Sequence, residues 1–243
     1  MATASVSPLH RSGAIVLGFF IFLGLSTLGW VLGKSAIDVK QLDRMVVVKG
    51  LAEQEYPADI VIWPITFSVA ENSVQALYKA IEQNSDAIEQ FLLKNGVAKT
   101  EISFSTPNIT DKSAQNYGSG PAPEFRFTAM QTVTVYSKNV DQVRQIMGEM
   151  SQLGKQGIVL TGGYDSQPEY IFTRLNEVKP KMIEEATKKA RQVAEKFAAD
   201  SDSTLGKIKR ASQGQFSIQA RDRNNPQIKK VRVVTTVEYY LSD

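Results

Sequence analysis

Three patterns of apolar residues succeed one another along this chain, and the first has no period at all. From Ser12 to Gly33 it reads SGAIVLGFFIFLGLSTLGWVLG, with no charge between Arg11 and Lys34. A helix of that length, at about 1.5 Å per residue, covers a bilayer core. The pattern therefore predicts a tail over 1–12, a transmembrane helix over 13–33 and a polar connector over 34–44. Cleaved signal peptides have a shorter apolar region that ends in a small-x-small site. Here the run is longer and Val31-Leu32-Gly33 is a weak site, so a retained signal anchor is expected.

Beyond the connector the period drops to two. MVVVKGLAEQEY, closed by Pro57, and ADIVIWPITFSVAE behind it predict two strands of an antiparallel hairpin turning at 57–59. In the second strand Val61, Trp63, Ile65, Phe67 and Val69 share one face, while Thr66 and Ser68 take the other. Pro64 has no N–H to donate and marks an edge or a bulge. Helical spacing follows: Val74, Leu77, Tyr78, Ile81, Ile88, Phe91 and Leu92 lie between an N-cap at Asn72 and a C′ glycine at Gly96.

Two strands, EISFSTPNITDK and EFRFTAMQTVTVYS, then flank the loop SAQNYGSGPAP, and Phe125, Phe127, Ala129, Val133 and Val135 face one way. A helix with Val140, Val143, Ile146, Met147, Met150 and Leu153 on its stripe precedes a strand region bent at Gly162-Gly163. The longest helix carries Val178, Met182, Ala186, Ala190, Val193 and Phe197, with Pro180 in its first turn. In the last strand Val231, Val233, Val237, Tyr239 and Leu241 alternate with polar residues. The sum is an α+β protein. Antiparallel sheets of β-α-β-β type modules carry helices on one face over residues 45–241, behind one N-terminal transmembrane helix.

Composition removes much of the catalytic menu. There is no cysteine, and the one histidine, His10, lies in the tail, so no Ser-His-Asp or Cys-His constellation exists in the folded part. Glu53, Glu55 and Asp59 have no base or ligating histidine beside them and read as solvated turn carboxylates. The reading is of a non-enzymatic protein with no catalytic residue, metal or cofactor. Tyr117 is the one residue of the long loop suited to grip a ligand. In the span, Gly29 and Gly33 form a GxxxG and Gly18 lies three turns earlier on the same face, a candidate surface for helix packing.

Charge adds two expectations. The net charge is only +3, and no aromatics interleave with the lysines as a stacking platform, so nucleic acid is not an expected partner. Residues 50–173 hold 8 Lys+Arg against 14 Asp+Glu, whereas residues 174–232 hold 15 against 7. A domain with an acidic and a basic side can associate head to tail, and such contacts can close into rings; alternatively the basic clusters TKKAR, KIKR and IKKVR suit anionic lipid. Across the membrane helix, Arg11 faces Lys34, Lys40, Arg44 and Lys49, a count that favours a cytoplasmic C-terminal domain.

Three stretches resemble the bacterial SIMPL-domain family: VVVKGLAEQEYPADIVIWPITFSV, FTAMQTVTVYS and EEATKKARQVAEKFAADSDSTLGKI. The first matches that family's opening V-x-G-x-A strand and its turn near Pro-Asp, here Pro57-Ala58-Asp59. The third matches its late A-x-x-K-A-x-x-x-A helix through Ala186, Lys189, Ala190 and Ala194, with Leu205 and Gly206 opening the next strand. The departures are an inserted Ala58 and Asp202 at a place often held by glycine. The resemblance implies a domain carried outside the cytoplasmic membrane, with no established catalytic site. It also implies large ring-like homo-oligomers in some members and tolerance of oxidative stress in others.

These readings combine into one expectation. The protein is a single-pass inner-membrane protein with a periplasmic domain, lipid contact through residues 13–33, and itself as partner in a ring or cage. The alternative is a module of the cell envelope that binds lipid, peptide or a small molecule.

Overall fold

The computed structural model describes residues 11–41, 44–115, 124–163 and 166–242. His10 and Tyr117 lie outside the described residues. Helix α1 (Arg11–Gln41) is followed by strands β1 (Met45–Pro57) and β2 (Ile60–Glu71), and by helix α2 (Val74–Lys94). Short strands β3 (Ile102–Phe104) and β4 (Asn108–Asp111) precede β5 (Phe127–Ser137), helices α3 (Val140–Gly148) and α4 (Ser151–Lys155), and strands β6 (Val159–Leu160) and β7 (Glu169–Ile171). Helix α5 (Leu175–Asp200) then leads into β8 (Thr204–Gln213), β9 (Ser217–Ala220) and β10 (Ile228–Ser242).

The chain divides into two compact units. The first comprises Met1–Ala52, Ile183–Gln215 and Val233–Asp243, and the second comprises Glu53–Met182 and Phe216–Arg232. The strands form two antiparallel sheets. One has the order β1-β10-β8, with β9 also on β10; the other has the order β3-β5-β2-β6, with β4 on β5 and β7 on β2.

In the second unit the alternation of β2 decides the core. Val61, Trp63, Ile65 and Phe67 are buried with Val133 and Val135 of β5, and α2 lays Leu77, Ile81, Ile88, Phe91 and Leu92 on them. Ser73, not Asn72, caps α2: its hydroxyl accepts from Ala76 N at 3.1 Å. Asn72 instead accepts from Arg126 N through its side chain at 3.1 Å. At the other end Gly96 takes φ +86 and Val97 N bonds back to Leu92 O at 3.0 Å, as the C′ glycine reading requires. Pro64 lies within β2 but falls in the gap between β7, which pairs at Ile60 to Ile62, and β6, which pairs at Phe67 and Ser68.

In the first unit a helix comes close to a strand. Val48, Ala190, Ala194, Val237 and Tyr239 form its core, and a Cβ on Gly50 would collide with Ala186 O and Ala190 N. The buried stripe of α5 runs through Met182, Ala186, Ala190, Ala194 and Ala198, while Val193 and Phe197 are exposed at 38% and 56%. That corrects the expected stripe. Only alanine fits where a helix backbone presses on a strand, so the larger apolar residues turn outward. Pro180 also sits one turn deeper in α5 than expected. Asp202 follows α5 at φ 51, with Ser203 N bonding to Ala198 O at 2.8 Å; an aspartate thus fills the left-handed C′ position.

Candidate functional site

The expected hairpin at Pro57 does not form. Strand β1 joins β10, β2 joins β5, and the residues between them bond to distant chain: Ala58 N to Gln227 O at 2.8 Å and Asp59 N to Ile171 O at 2.9 Å. Each carboxylate has a partner; Glu53 and Glu55 stay open to solvent as read, and Asp59 is the one largely covered. Asp59 accepts from Thr173 N at 2.9 Å and from Thr173 Oγ1 at 2.7 Å, with Arg174 Nε at 3.5 Å. Burial pushes the Asp59 carboxyl up, but the Thr173 hydrogen bonds and the Arg174 charge together hold it below its ordinary value. Lys230 Nζ lies 3.3 Å from Glu53, and Arg221 lies 3.6 Å from Glu55.

Arg221 also holds Asp222 at 2.8 Å, and that carboxylate accepts from Asn224 N and Asn225 N at 2.9 Å each. The Arg221 hydrogen bond first, helped by the Asn225 side chain and the two backbone amides, brings the Asp222 pKa to about 2 against some burial. These carboxylates are therefore acceptors that tie down strand ends. Among the described residues no three Asp, Glu or His side chains converge as metal ligands.

A second fixed carboxylate went unmarked in the sequence. Asp111 receives Arg126 through Nε at 3.2 Å and through the terminal nitrogen at 2.9 Å, and also accepts from Ser113 Oγ at 2.6 Å. The fork-shaped hydrogen bond from Arg126 holds the Asp111 carboxyl well below the carboxylate range. These residues flank the segment that holds Tyr117. Their joint signal, an acid opening and a base closing one loop, is visible only once β4 and β5 are known to pair.

Helix α1 is continuous through Gln41, so most of the stretch read as a connector is helical. Over Ile15–Ala36 its mean hydropathy is 2.3 and none of it is buried within the chain. It is long and apolar enough to cross a membrane. Gly18, Gly29 and Gly33 all lie on this helix, and a Cβ on any of them would meet nothing within 4 Å. Eleven and four residues apart, they share one face.

The structure thus defines an α+β protein of antiparallel sheets with helices packed on them, preceded by one exposed apolar helix. The chain belongs to the SIMPL family, described as a protein of unknown function (DUF541), which matches residues 46–239. Comparison with curated proteins gives no match.

Proposed function

We propose that this chain is a single-pass, non-catalytic SIMPL protein. In this reading α1 anchors it in the cytoplasmic membrane, the folded units lie on the outer face, and copies assemble into a large ring or cage that serves envelope or oxidative-stress tolerance. One observation carries the anchor: the apolar side chains of Ile15–Ala36 find no cover within the chain, and a bilayer supplies it. The face of Gly18, Gly29 and Gly33 supports close approach of such helices to one another. The outer-face placement follows the family resemblance, against the flanking lysines and arginines.

The charge split of the linear sequence does not follow the two units. The basic segment Phe216–Arg232 folds into the unit that holds the acidic stretch, which leaves 16 Lys+Arg against 16 Asp+Glu in that unit. The first unit holds 12 against 9. Assembly driven by charged faces weakens at high salt, whereas persistence there leaves apolar packing as the driver. Light scattering of the detergent-extracted protein tests the reading, beside Gly29→Leu/Gly33→Leu and a chain beginning at Asp38. A discrete high mass that the leucine pair lowers places the contact on α1; a monomer in every case ends the assembly proposal. Protease protection in spheroplasts separately tests the side of the membrane.

One observation favours the alternative of a binding module. In the first unit a groove of about 870 Å³ is lined by Leu51 and Val193 together with Lys49, Lys189, Lys196 and one acid, Glu195. An apolar floor with a rim of three lysines against one glutamate suits an anionic lipid. Flotation with liposomes containing phosphatidylglycerol tests it, and the absence of binding by the protein would end this second reading.

A further inference from the structure

One edge of the first unit's sheet is open. Strand β1 pairs with β10 and, among the described residues, with no other strand. Leu241 N donates to Arg44 O at 2.9 Å, so the even-numbered residues at this end of β1 turn their N–H and C=O groups toward β10. The alternation carries on unbroken through Val48, Gly50 and Ala52, each buried between exposed neighbours. Lys49 and Leu51 therefore turn their backbone groups outward, to the open edge. An open edge is a template for one more strand.

The groove of about 870 Å³ runs beside this edge, with Lys49, Gly50 and Leu51 on one side and a flank of α5 on the other. On that flank Lys189, Val193 and Lys196 follow one another at steps of four and three residues, about 6 Å and 4.5 Å along the helix. Two of the lining charges are answered within α5. Lys189 holds Glu185 at 2.6 Å, and Glu195 is held by Arg191 at 3.0 Å. Lys49 and Lys196 form no ion pair with a described residue and leave their charge open to a ligand.

Backbone edge and cationic wall together select the ligand. A lipid answers the lysines and Val193, but it has no row of alternating donors and acceptors to meet Lys49 and Leu51. The β1 of a second copy has that row, yet an antiparallel pairing centred on this stretch sets Lys49 against Lys49. An extended peptide with acidic side chains answers edge and wall alike. Its side chains on one face recur every ~6.6 Å, close to the step from Lys189 to Val193. We infer that this groove takes an acidic peptide segment as an added strand on β1. The pattern that fits is acid-x-apolar-x-acid, with the apolar side chain on Val193 and the carboxylates toward Lys189 and Lys196. The partner is a protein with an exposed acidic segment. The inference shares its groove with the lipid reading but not its ligand, so the two stand or fall separately.

Fluorescence anisotropy tests the groove on the full-length protein in a nonionic detergent. The probe is a labelled nonapeptide, Glu-Thr-Val-Thr-Glu with two threonines at each end. Saturable binding in the submillimolar range is expected. Lys196→Glu should weaken it by about fivefold or more, and should improve binding of the matching Lys-Thr-Val-Thr-Lys peptide over the wild type, which shows that the variant is folded. Methylating the backbone nitrogens of one alternate set of peptide residues should abolish binding, and methylating the other set should spare it, since one row of N–H groups faces β1. The proposal is overturned by no saturable binding of the glutamate peptide, by equal affinity for the lysine peptide, or by both methylated forms binding as the parent does. Liposomes of phosphatidylglycerol that bind where the peptide does not would also overturn it and leave the lipid reading standing. So would a fall in assembled mass when the peptide is added, since the edge would then belong to a second copy.

Discussion

The two units solve the same problem, a helix on an antiparallel sheet, with opposite materials. In the second, α2 brings leucine, isoleucine and phenylalanine onto Ile65, Phe67 and Val133, so the core is filled by volume. In the first, α5 brings alanines onto a strand glycine, so the core is filled by closeness of backbones. The difference teaches where each unit is vulnerable: one to loss of bulk, the other to its gain.

The largest effect expected from this contrast is in the volume-filled unit. Phe67→Ala should cost about 3–5 kcal/mol in chemical denaturation, since Phe67 is fully buried between sheet and helix. A loss below ~1 kcal/mol would show that this core relaxes and would break the comparison. Next comes Gly50→Ala, expected to cost about 1–3 kcal/mol because the added methyl meets helix backbone rather than a movable side chain. An unchanged melting temperature would mean that α5 does not press on β1.

Asp59→Ala follows, at about 1.5 kcal/mol, for the charged hydrogen bonds to Thr173. Its pH dependence has a definite sign. A carboxylate whose folded pKa is depressed contributes stability above its unfolded pKa, near 3.9, and loses it as pH falls through the folded value. The gap between wild type and variant should therefore be full at neutral pH and close in acid. A constant gap would assign the cost to packing instead.

The smallest effect sharpens the contrast at the helix ends. Helix α2 stops on Gly96 and α5 on Asp202, both left-handed. Asp202→Gly should stabilise by ~0.5–1 kcal/mol, since glycine adopts that backbone without the side-chain penalty. A destabilised variant would show that the aspartate side chain earns its place there.

How much of this was legible depended on what each pattern encodes. Alternation in β2, β5 and β10 marks which face is buried, and there Phe67, Val133 and Val237 sit as read. Alternation says nothing of which neighbour a strand takes, so β1 was joined to β2 by their short link. The link's amides in fact bond to Gln227 and Ile171, contacts that no local pattern carries. In α5 the apolar scale favoured Val193 and Phe197 over alanine, whereas fit to the strand favoured alanine.

The discontinuous make-up of the first unit has a consequence in time. Its sheet pairs a strand that begins at Met45 with one that ends at Ser242, as in the bond from Leu241 N to Arg44 O at 2.9 Å. Ribosomes add about 5–20 residues per second, so β1 waits for β10 for roughly ten to forty seconds after it is made. Until α5 is complete at Asp200, Val46 and Val48 have neither that helix nor β10 to cover them. The nascent chain thus carries an unpaired apolar strand close behind α1 until β10 is made, and a chaperone that shields short apolar segments is the assistance its synthesis calls for.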